Sequence, residues 1–284
     1  FPPCNFEGGK GPGYSLAGEV IEVGPSVTDF KKGGRVFTSA AHASHAVCKT
    51  DPWQTIKIPD NVGYKEAAFT ALGSVALHGI RKADLKLGED VVVMGLGVVG
   101  LFALQLAKID GAHPILGVDI NPNRLQLARK LLPIETINPK KENLVEKVRE
   151  LTDGRGASCT IEATGNPNVI QNALRIGAYG GRIVALGSIV GESKLDLFSD
   201  FMWREISLIP AQQPRNPISD TIYYHFTQQK NRQIILDLID RGELKVSELI
   251  SHVVKPENAA EIYQEIAAKD ENKNMVGVLF DWTE

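Results

Sequence analysis

One stretch of the chain constrains the fold more than any other. The strand formers Val91-Val92-Val93-Met94 run directly into the glycine pattern Gly95-Leu96-Gly97-Val98-Val99-Gly100, and an apolar helical segment follows. A second short apolar run, 114–118, ends on Asp119, nineteen positions after Gly100. A strand, a G-x-G-x-x-G turn, a helix and a second strand that ends on an acid are typical of a dinucleotide-binding unit.

The residue types in this turn suit the binding of a pyrophosphate. We expect Gly95 to permit the tight turn, Gly97 to let the backbone approach the phosphates, and Gly100 to let the helix pack against the strand. The free N–H groups and the positive dipole end at Val98 and Val99 then face the phosphates. The alternative is a glycine-rich turn inside some other α/β unit.

Asp119 predicts which dinucleotide binds. Its carboxylate can accept both ribose hydroxyls of NAD, whereas the 2′-phosphate of NADP would meet a like charge. We therefore predict NAD as the cofactor. The turn residues expected to bind it are Gly95, Leu96, Gly97, Val98, Val99 and Gly100.

Length and composition exclude several classes of protein. The chain has 284 residues, 43% of them hydrophobic and 23% charged, which suits two globular domains. The net charge is −3 and both signs are interspersed, so a nucleic-acid partner is not expected. Nothing in the given sequence resembles a signal peptide, and no apolar run reaches the roughly eighteen residues needed to span a bilayer. We therefore predict a cytoplasmic protein with no membrane partner.

The cysteines predict neither a disulfide framework nor a structural zinc site. Cys4, Cys48 and Cys159 are scattered and form no C-x-x-C pair, so we expect free thiols. Because the first residue is Phe1 rather than Met, we also expect a leading segment to precede it.

Hydrophobic periodicity changes along the chain. Short alternating segments at 16–24, 35–38 and 46–48 predict a small β-rich, barrel-like region, and 64–82 predicts a helix. Strands and helices then alternate, which predicts a parallel sheet wound with helices. We expect strands at 90–95, 114–119, 158–162, 181–187, 206–210 and 276–280, and helices at 98–110, 121–131, 142–151, 167–176, 218–241 and 256–268.

With these motifs, the chain resembles the medium-chain dehydrogenase/reductase superfamily, near its zinc-type alcohol, sorbitol and threonine dehydrogenases. The resemblance rests on the segments 17–24, 30–36, 95–100, 162–165 and 249–252. It implies an α/β protein in which a doubly wound Rossmann sheet, 71–214, binds the cofactor. It also implies a GroES-like β-rich catalytic lobe built from both chain ends, 1–70 and 215–284, with the nicotinamide in the cleft between the two domains.

The zinc chemistry of that family does not carry over to this sequence. The zinc-type enzymes have a Gly-His-Glu run where this chain has Gly13-Tyr14-Ser15, so the imidazole ligand is missing. A second ligand position aligns with Ala71, whose methyl group cannot bind a metal. A cysteine ligand would lie upstream of Phe1, and the four-cysteine loop has no counterpart after Phe37. We predict no metal.

Hydride transfer without zinc needs another group that handles the hydroxyl proton. Tyr14 occupies a zinc-ligand position, so its phenol is a candidate, with Ser15 beside it; alternatively, Tyr14 packs against the following strand. His42 and His45 fall near the expected cleft mouth, and one of them could shuttle a proton because imidazole titrates near neutral pH. For either histidine, a surface or hydrogen-bonded structural role is the alternative.

Further cofactor contacts are expected beyond the glycine turn. The resemblance implies that Arg124 lies near the adenine or its ribose; an exposed helix arginine is the alternative. The segments Ala163-Thr164-Gly165 and Leu186-Gly187-Ser188 end two predicted strands at the carboxyl edge of the sheet, where open α/β sheets bind ligands. We expect their backbones near the nicotinamide ribose and ring. The segment 212–215 could line the substrate pocket or serve as a polar linker.

We predict an NAD-dependent oxidoreductase that interconverts a secondary alcohol, polyol or sugar-derived, and a carbonyl compound by hydride transfer. Two alternatives remain open: a zinc-free reductase of quinones or enones, and a non-catalytic NAD-binding protein. The family also implies a homodimer or homotetramer. The apolar segment 205–210 is a plausible edge strand for the contact between subunits.

Overall fold

The computed structural model describes residues 12–222, 224–268 and 275–283. The chain divides into two compact units. Unit 1 comprises Phe1–Ser74, Gln213–Ala268 and Gly277–Glu284, and unit 2 comprises Val75–Gln212 and Lys269–Val276. Cys4 lies outside the described residues, whereas Cys48 and Cys159 are free thiols.

The first part of unit 1 is a three-stranded antiparallel sheet in the order β1-β2-β3. Its strands are β1 (Leu16–Glu19), β2 (Arg35–Thr38) and β3 (Thr55–Lys57), and two helices follow, α1 (Tyr64–Ala67) and α2 (Thr70–Ala83). The α2 helix runs from unit 1 into unit 2.

Unit 2 is built around a six-stranded parallel sheet in the order β6-β5-β4-β7-β8-β9. All four residues of its first strand are buried, as expected when helices cover both faces. In chain order the elements are β4 (Val91–Met94), α3 (Val98–Ile109), β5 (Ile115–Val118), α4 (Pro122–Leu131), β6 (Glu135–Ile137), α5 (Leu144–Leu151), β7 (Ala157–Glu162), α6 (Ile170–Ile176), β8 (Gly177–Ala185) and β9 (Ser207–Pro210).

The last part of the chain completes unit 1. It contains α7 (Gln228–Asp240), β10 (Ile250–Val254), α8 (Ala259–Ala267) and β11 (Gly277–Phe280), and β10 pairs with β11 in parallel. The core of unit 1 draws on both ends of the chain, because Leu236 of α7 packs with Phe37, Ile58 and Ala71. Each large side chain buried there stabilises the fold by about 1.5–3 kcal/mol.

The α/β class and the parallel sheet expected from the sequence are confirmed, and several element boundaries are wrong. The segment 46–48 is not a strand, and β1 ends at Glu19 rather than at 24. The helix expected at 218–241 begins only at Gln228. Its N-terminus is set by Thr227, whose hydroxyl oxygen accepts the N–H of Lys230 at 3.2 Å.

No helix within the described ranges has the length and apolar character needed to cross a membrane.

Candidate functional site

The first part of the site is the glycine turn between β4 and α3 in unit 2. Gly97 is the N-cap of α3, and no side chain caps the helix there. The first N–H groups of a helix have no partner within the helix, so an uncapped N-terminus leaves them available to an anion. Gly97, Val98 and Val99 are half-buried, whereas Gly100 is buried in the helix contact.

Each glycine of the turn is required for a different geometric reason. Gly95 has a φ of +89°, a conformation that favours glycine, and its backbone lies against Thr164. A Cβ atom at Gly100 would overlap the carbonyl oxygen of Gly95. At Gly97 a Cβ atom would meet nothing within 4 Å, so this position borders open space.

Asp119 follows β5 and is buried beside the turn. Its Oδ2 accepts the N–H of Leu96 at 2.7 Å, and its Oδ1 accepts the N–H of Asn121 at 2.8 Å. These two bonds fix the carboxylate at the carboxyl edge of the sheet. The N–H of Leu96 is thereby used within the protein.

Arg124 is held next to this carboxylate. Its Nη1 lies 3.8 Å from Oδ2 of Asp119, and its Nη2 donates to the carbonyl of Met275 at 3.3 Å. The residue sits in the first turn of α4, where Asn121 accepts the N–H groups of Asn123 and Arg124. Asp119 and Arg124, both singled out in the sequence, are therefore neighbours in the structure.

The loops after β7 and β8 meet the glycine turn backbone to backbone. A Cβ atom at Gly95 would lie 2.8 Å from the nitrogen of Thr164, and one at Gly187 would overlap the nitrogen of Gly165. A Cβ atom at Gly165 would lie 3.0 Å from the carbonyl oxygen of Ser188. The structure thus brings the segments 163–165 and 186–188 together with the start of the turn.

Glu162 organises these two loops, and the sequence analysis gave it no role. Its backbone carbonyl accepts the N–H groups of Leu186 and Gly187, and its side chain accepts the N–H of Thr164 at 2.7 Å and the Thr164 hydroxyl. The side chain is fully buried, and this burial raises the pKa of the carboxyl group. An acid at the end of a buried strand was the signal that could have identified it.

A separate candidate site is a cavity of about 1180 Å³ within unit 1. Ser15, His42 and His45 line it, whereas Tyr14 does not and is 55% exposed. The Ser15 hydroxyl donates to the carbonyl of Ala68 at 2.5 Å, and Nδ1 of His45 lies 3.2 Å from the Ser44 hydroxyl. Three of the four candidate catalytic residues therefore share one cavity.

His42 has a partner that the sequence did not reveal. Its Nδ1 lies 3.0 Å from the hydroxyl of Tyr263, a residue of α8. The two residues are 221 positions apart, so only the fold brings them together. Burial lowers the pKa of His42, which favours the neutral imidazole.

Among the described residues, the donor set of unit 1 does not fit a catalytic zinc ion. A catalytic site needs three ligands from nitrogen, sulfur or carboxylate donors. Tyr14 and Ser15 occupy one ligand position expected from the resemblance, and Ala71, at the other expected position, is buried in the core of unit 1. The described residues contain no group of three or more His, Cys, Asp or Glu that could hold a metal ion.

Strand β9 is one edge of the parallel sheet, and large apolar side chains are exposed on and near it. We call this set the apolar edge surface. It consists of Tyr179, Phe198, Met202, Trp203 and Leu208.

Comparison with known proteins gives the chain its family. Residues 5–78 match the family model for the alcohol dehydrogenase GroES-like domain, and residues 98–218 match the model for zinc-binding dehydrogenases. The two matches follow each other along one chain. The chain belongs to the medium-chain dehydrogenase/reductase superfamily.

Relatives within this superfamily are dehydrogenases. D-guloside 3-dehydrogenase of Escherichia coli K12 is 29% identical over 94% of this chain and 77% of its own length. Sorbitol dehydrogenase of Bacillus subtilis is 29% identical over 67% of this chain and 65% of its own length. These relatives support an oxidoreductase of the alcohol–carbonyl type.

One solved structure has the same fold as this chain. It is that of a short chain alcohol dehydrogenase from Escherichia coli CFT073, complexed with cofactor NADH. The identity is 19%, the match covers 95% of this chain and 83% of that one, and the TM-score is 0.78.

Proposed function

We propose that the chain is an NAD(H)-dependent oxidoreductase that interconverts a secondary alcohol and a carbonyl compound without zinc. The observation that carries this proposal is the buried carboxylate of Asp119, fixed by two backbone N–H groups beside the uncapped N-terminus of α3. An anion site for phosphates and an acceptor for ribose hydroxyls then lie next to each other.

Asp119 favours NAD over NADP because a 2′-phosphate would approach a buried carboxylate. Arg124 is the residue that could favour NADP instead, since an arginine near the ribose can accommodate the 2′-phosphate. Arg124 lies close to Asp119 and donates to Met275, however, so part of its hydrogen-bonding capacity is already used. We therefore propose that the Asp119 carboxylate, rather than Arg124, decides the preference between the two cofactors, in favour of NAD.

We assign the cofactor contacts to backbone and side chains of unit 2. The pyrophosphate would lie at residues 95–100, the adenine ribose at Asp119 and Arg124, and the nicotinamide side at the loops 163–165 and 186–188. The N–H groups of Leu186 and Gly187 already donate to the carbonyl of Glu162. These two residues would therefore pack against the nicotinamide side of the cofactor rather than donate hydrogen bonds to it.

The nicotinamide supplies the hydride chemistry when it is bound. The chain must supply a group that takes the hydroxyl proton during alcohol oxidation and returns it during carbonyl reduction. We assign this role to His42, with Ser15 and His45 in the same cavity; Tyr14, which does not line the cavity, is not assigned a contact with substrate. The neutral imidazole favoured by burial is the form that accepts a proton.

Two lines of support favour a polyol or a sugar-derived alcohol as the substrate. One relative is a D-guloside 3-dehydrogenase and another is a sorbitol dehydrogenase, both acting on alcohols with several hydroxyls. The polar residues that line the cavity of unit 1, including Ser15, Ser44 and Thr38, can hydrogen-bond hydroxyl groups.

We also propose the domain assignment expected from the sequence. The GroES-like catalytic lobe would comprise 1–70 and 215–284, and the cofactor domain would comprise 71–214. The division of the chain into unit 1 and unit 2 supports this assignment. A homodimer or homotetramer that uses the apolar edge surface is part of the same proposal.

Calorimetric titration with NADH and NADPH tests the cofactor assignment. We expect NADH to bind at least tenfold more tightly than NADPH, and Asp119→Ser to lose most of this preference. Asp153→Asn is the matched control because its side chain is 90% exposed in the same unit. Equal binding of the two cofactors, or a preference that Asp119→Ser leaves unchanged, would refute the assignment.

Turnover measurements separate the competing functions. We expect oxidation of polyols or other secondary alcohols with NAD⁺ and reduction of the matching ketones with NADH. Reduction of enones or quinones alone would make the chain a double-bond reductase. Tight NADH binding without turnover of any of these substrates would make it a non-catalytic NAD-binding protein.

A further inference from the structure

The His42–Tyr263 pair joins two titratable groups from distant parts of unit 1. Nδ1 of His42 lies 3.0 Å from the Tyr263 hydroxyl, a distance at which one of the two atoms donates to the other. His42 lines the cavity of unit 1, whereas Tyr263 is 40% exposed on α8. The pair therefore connects the cavity to the protein surface.

Three other groups hold the imidazole in place. The ring of Phe280 packs against both partners, with centroid distances of 5.3 Å to His42 and 5.8 Å to Tyr263. The backbone N–H of His42 donates to the carbonyl of Pro12 at 2.8 Å. The other edge of the imidazole lies against Gly13, where a Cβ atom would overlap Nε2.

The contact with Gly13 has a consequence for chemistry. Gly13 begins the Gly13-Tyr14-Ser15 segment, which stands where zinc-type relatives carry a metal ligand. The Nε2 edge of His42 therefore lies against this segment, and its Nδ1 edge faces Tyr263. The two sides of the ring thus have separate neighbours, and His42 also lines the cavity of unit 1.

The protonation states decide the direction of the hydrogen bond. Burial raises the pKa of Tyr263, so its phenol keeps its proton at neutral pH. Burial lowers the pKa of His42, so the imidazole is neutral there. Among the described contacts of His42, with Pro12, Gly13, Tyr263 and Phe280, Tyr263 is the titratable partner. A phenol that donates to Nδ1 leaves the imidazole proton on Nε2.

We propose that Tyr263 is the positioning residue for His42 and the second member of a proton route from the cavity of unit 1 to solvent. This inference rests on the proposed function. During carbonyl reduction, the Nε2–H proton of His42 moves to the substrate oxygen while the hydride comes from NADH. The Tyr263 hydroxyl proton passes to Nδ1, and the phenol oxygen takes a replacement proton from water. Alcohol oxidation reverses each transfer.

The Tyr263→Phe variant tests this route because it keeps the ring packed on Phe280 and removes only the hydroxyl. We expect kcat to fall about tenfold with KM changed less than twofold, since one hydrogen bond to His42 is lost. Loss of a donor to the neutral imidazole raises the pKa of His42. The acidic limb of the rate profile for alcohol oxidation should therefore move to higher pH.

Tyr224→Phe is the matched control. Tyr224 belongs to the same unit, is 37% exposed, and its hydroxyl donates to Oδ1 of Asn216 at 3.1 Å rather than contacting His42. We expect this variant to keep the kcat and the pH profile of the unmodified chain. If the Tyr263 ring has only a structural role, Tyr263→Phe will also leave kcat and the pH profile unchanged. That result would overturn the proposal.

A second readout does not require turnover. Nitrogen-15 NMR of the full chain should show His42 with its proton on Nε2, and Tyr263→Phe should mix the two tautomers. If NMR shows the expected His42 tautomer and its change in Tyr263→Phe, but no alcohol is oxidised, the proposed function is refuted while the hydrogen bond between Tyr263 and His42 is supported. Unchanged His42 tautomer and titration in Tyr263→Phe would refute the pair, whatever the activity.

Discussion

Gly97 and Gly100 stand three residues apart in the nucleotide turn and must be small for different reasons. At Gly100 the constraint is internal, because a Cβ atom would overlap the carbonyl oxygen of Gly95. At Gly97 there is open space and φ is −72°, so the fold accepts a side chain. Only a bound pyrophosphate would exclude a side chain from Gly97.

The two alanine variants therefore separate folding from binding. We expect Gly100→Ala to destabilise the chain by about 3 kcal/mol, because the helix must move away from the strand. Gly97→Ala should change stability by no more than about 1 kcal/mol. It should nevertheless weaken NADH binding at least tenfold. Urea denaturation and calorimetry measure both effects; normal NADH binding by Gly97→Ala would contradict the placement of the pyrophosphate.

His78 gives a prediction for pH dependence. It is buried in α2, and burial together with Lys82 and Arg81 lowers its pKa to about 4. The unfolded state, with a pKa near 6.5, takes up a proton first as the pH falls. Stability should therefore be full above pH 6.5 and decline by up to about 3 kcal/mol as the pH falls from 6.5 to 4.

The measurement is the urea midpoint as a function of pH. His78→Gln should flatten the decline between pH 6.5 and 4, whereas His45→Gln, which changes an exposed histidine, should leave it unchanged. An identical decline in the unmodified chain and in His78→Gln would show that other groups cause the acid sensitivity.

At the scale of elements, the edge strand β9 leads to a prediction about assembly. Leu208 of β9 is 42% exposed and belongs to the apolar edge surface. A charged residue there should prevent contact between two copies of the sheet edge. We expect Leu208→Glu to lower the mass measured by light scattering from an oligomer to the monomer at micromolar concentration.

Leu87→Glu is the control for this experiment. Leu87 is 89% exposed and lies outside the apolar edge surface, so its replacement should leave the mass unchanged. A monomeric mass for the unmodified chain, or an oligomer that Leu208→Glu leaves intact, would contradict this role of β9.

The sequence predicted the parallel sheet better than the loops around it. Strands β4 and β5 are apolar runs whose positions follow from their own residues. By contrast, the segments 218–222 and 224–227 were expected to be part of the helix of α7 but are not helical, because polar groups bond within the loop. For example, Asp220 accepts the Thr227 hydroxyl at 2.6 Å, a tertiary contact that periodicity cannot reveal.

The residues of the candidate site were predictable to different degrees. Gly95, Gly100 and Asp119 form a local motif, so their spacing carried most of the information. Tyr263 lies on α8, and only the folded unit brings it to His42. Contacts over such sequence separations leave no pattern in one sequence, so the partner of His42 could not have been predicted.

At the scale of the whole molecule, the two units differ in how far they follow the superfamily. Unit 2 carries the glycine turn, the buried acid after β5 and the closely packed loops after β7 and β8. Unit 1 has Tyr14, Ser15 and Ala71 at the positions where the sequence resemblance leads us to expect metal ligands. We therefore expect the chain to transfer hydride with a nicotinamide cofactor, as the superfamily does, and to use a proton-transferring side chain in place of the metal ion.

One measurement tests this central claim most directly: NAD⁺-dependent oxidation of a panel of polyols and secondary alcohols by the full chain, with its metal content determined on the same sample. We predict turnover that is faster with NAD⁺ than with NADP⁺, unchanged by a chelator, in protein without stoichiometric zinc. One tightly bound zinc ion per chain, together with loss of turnover when it is removed, would contradict the account.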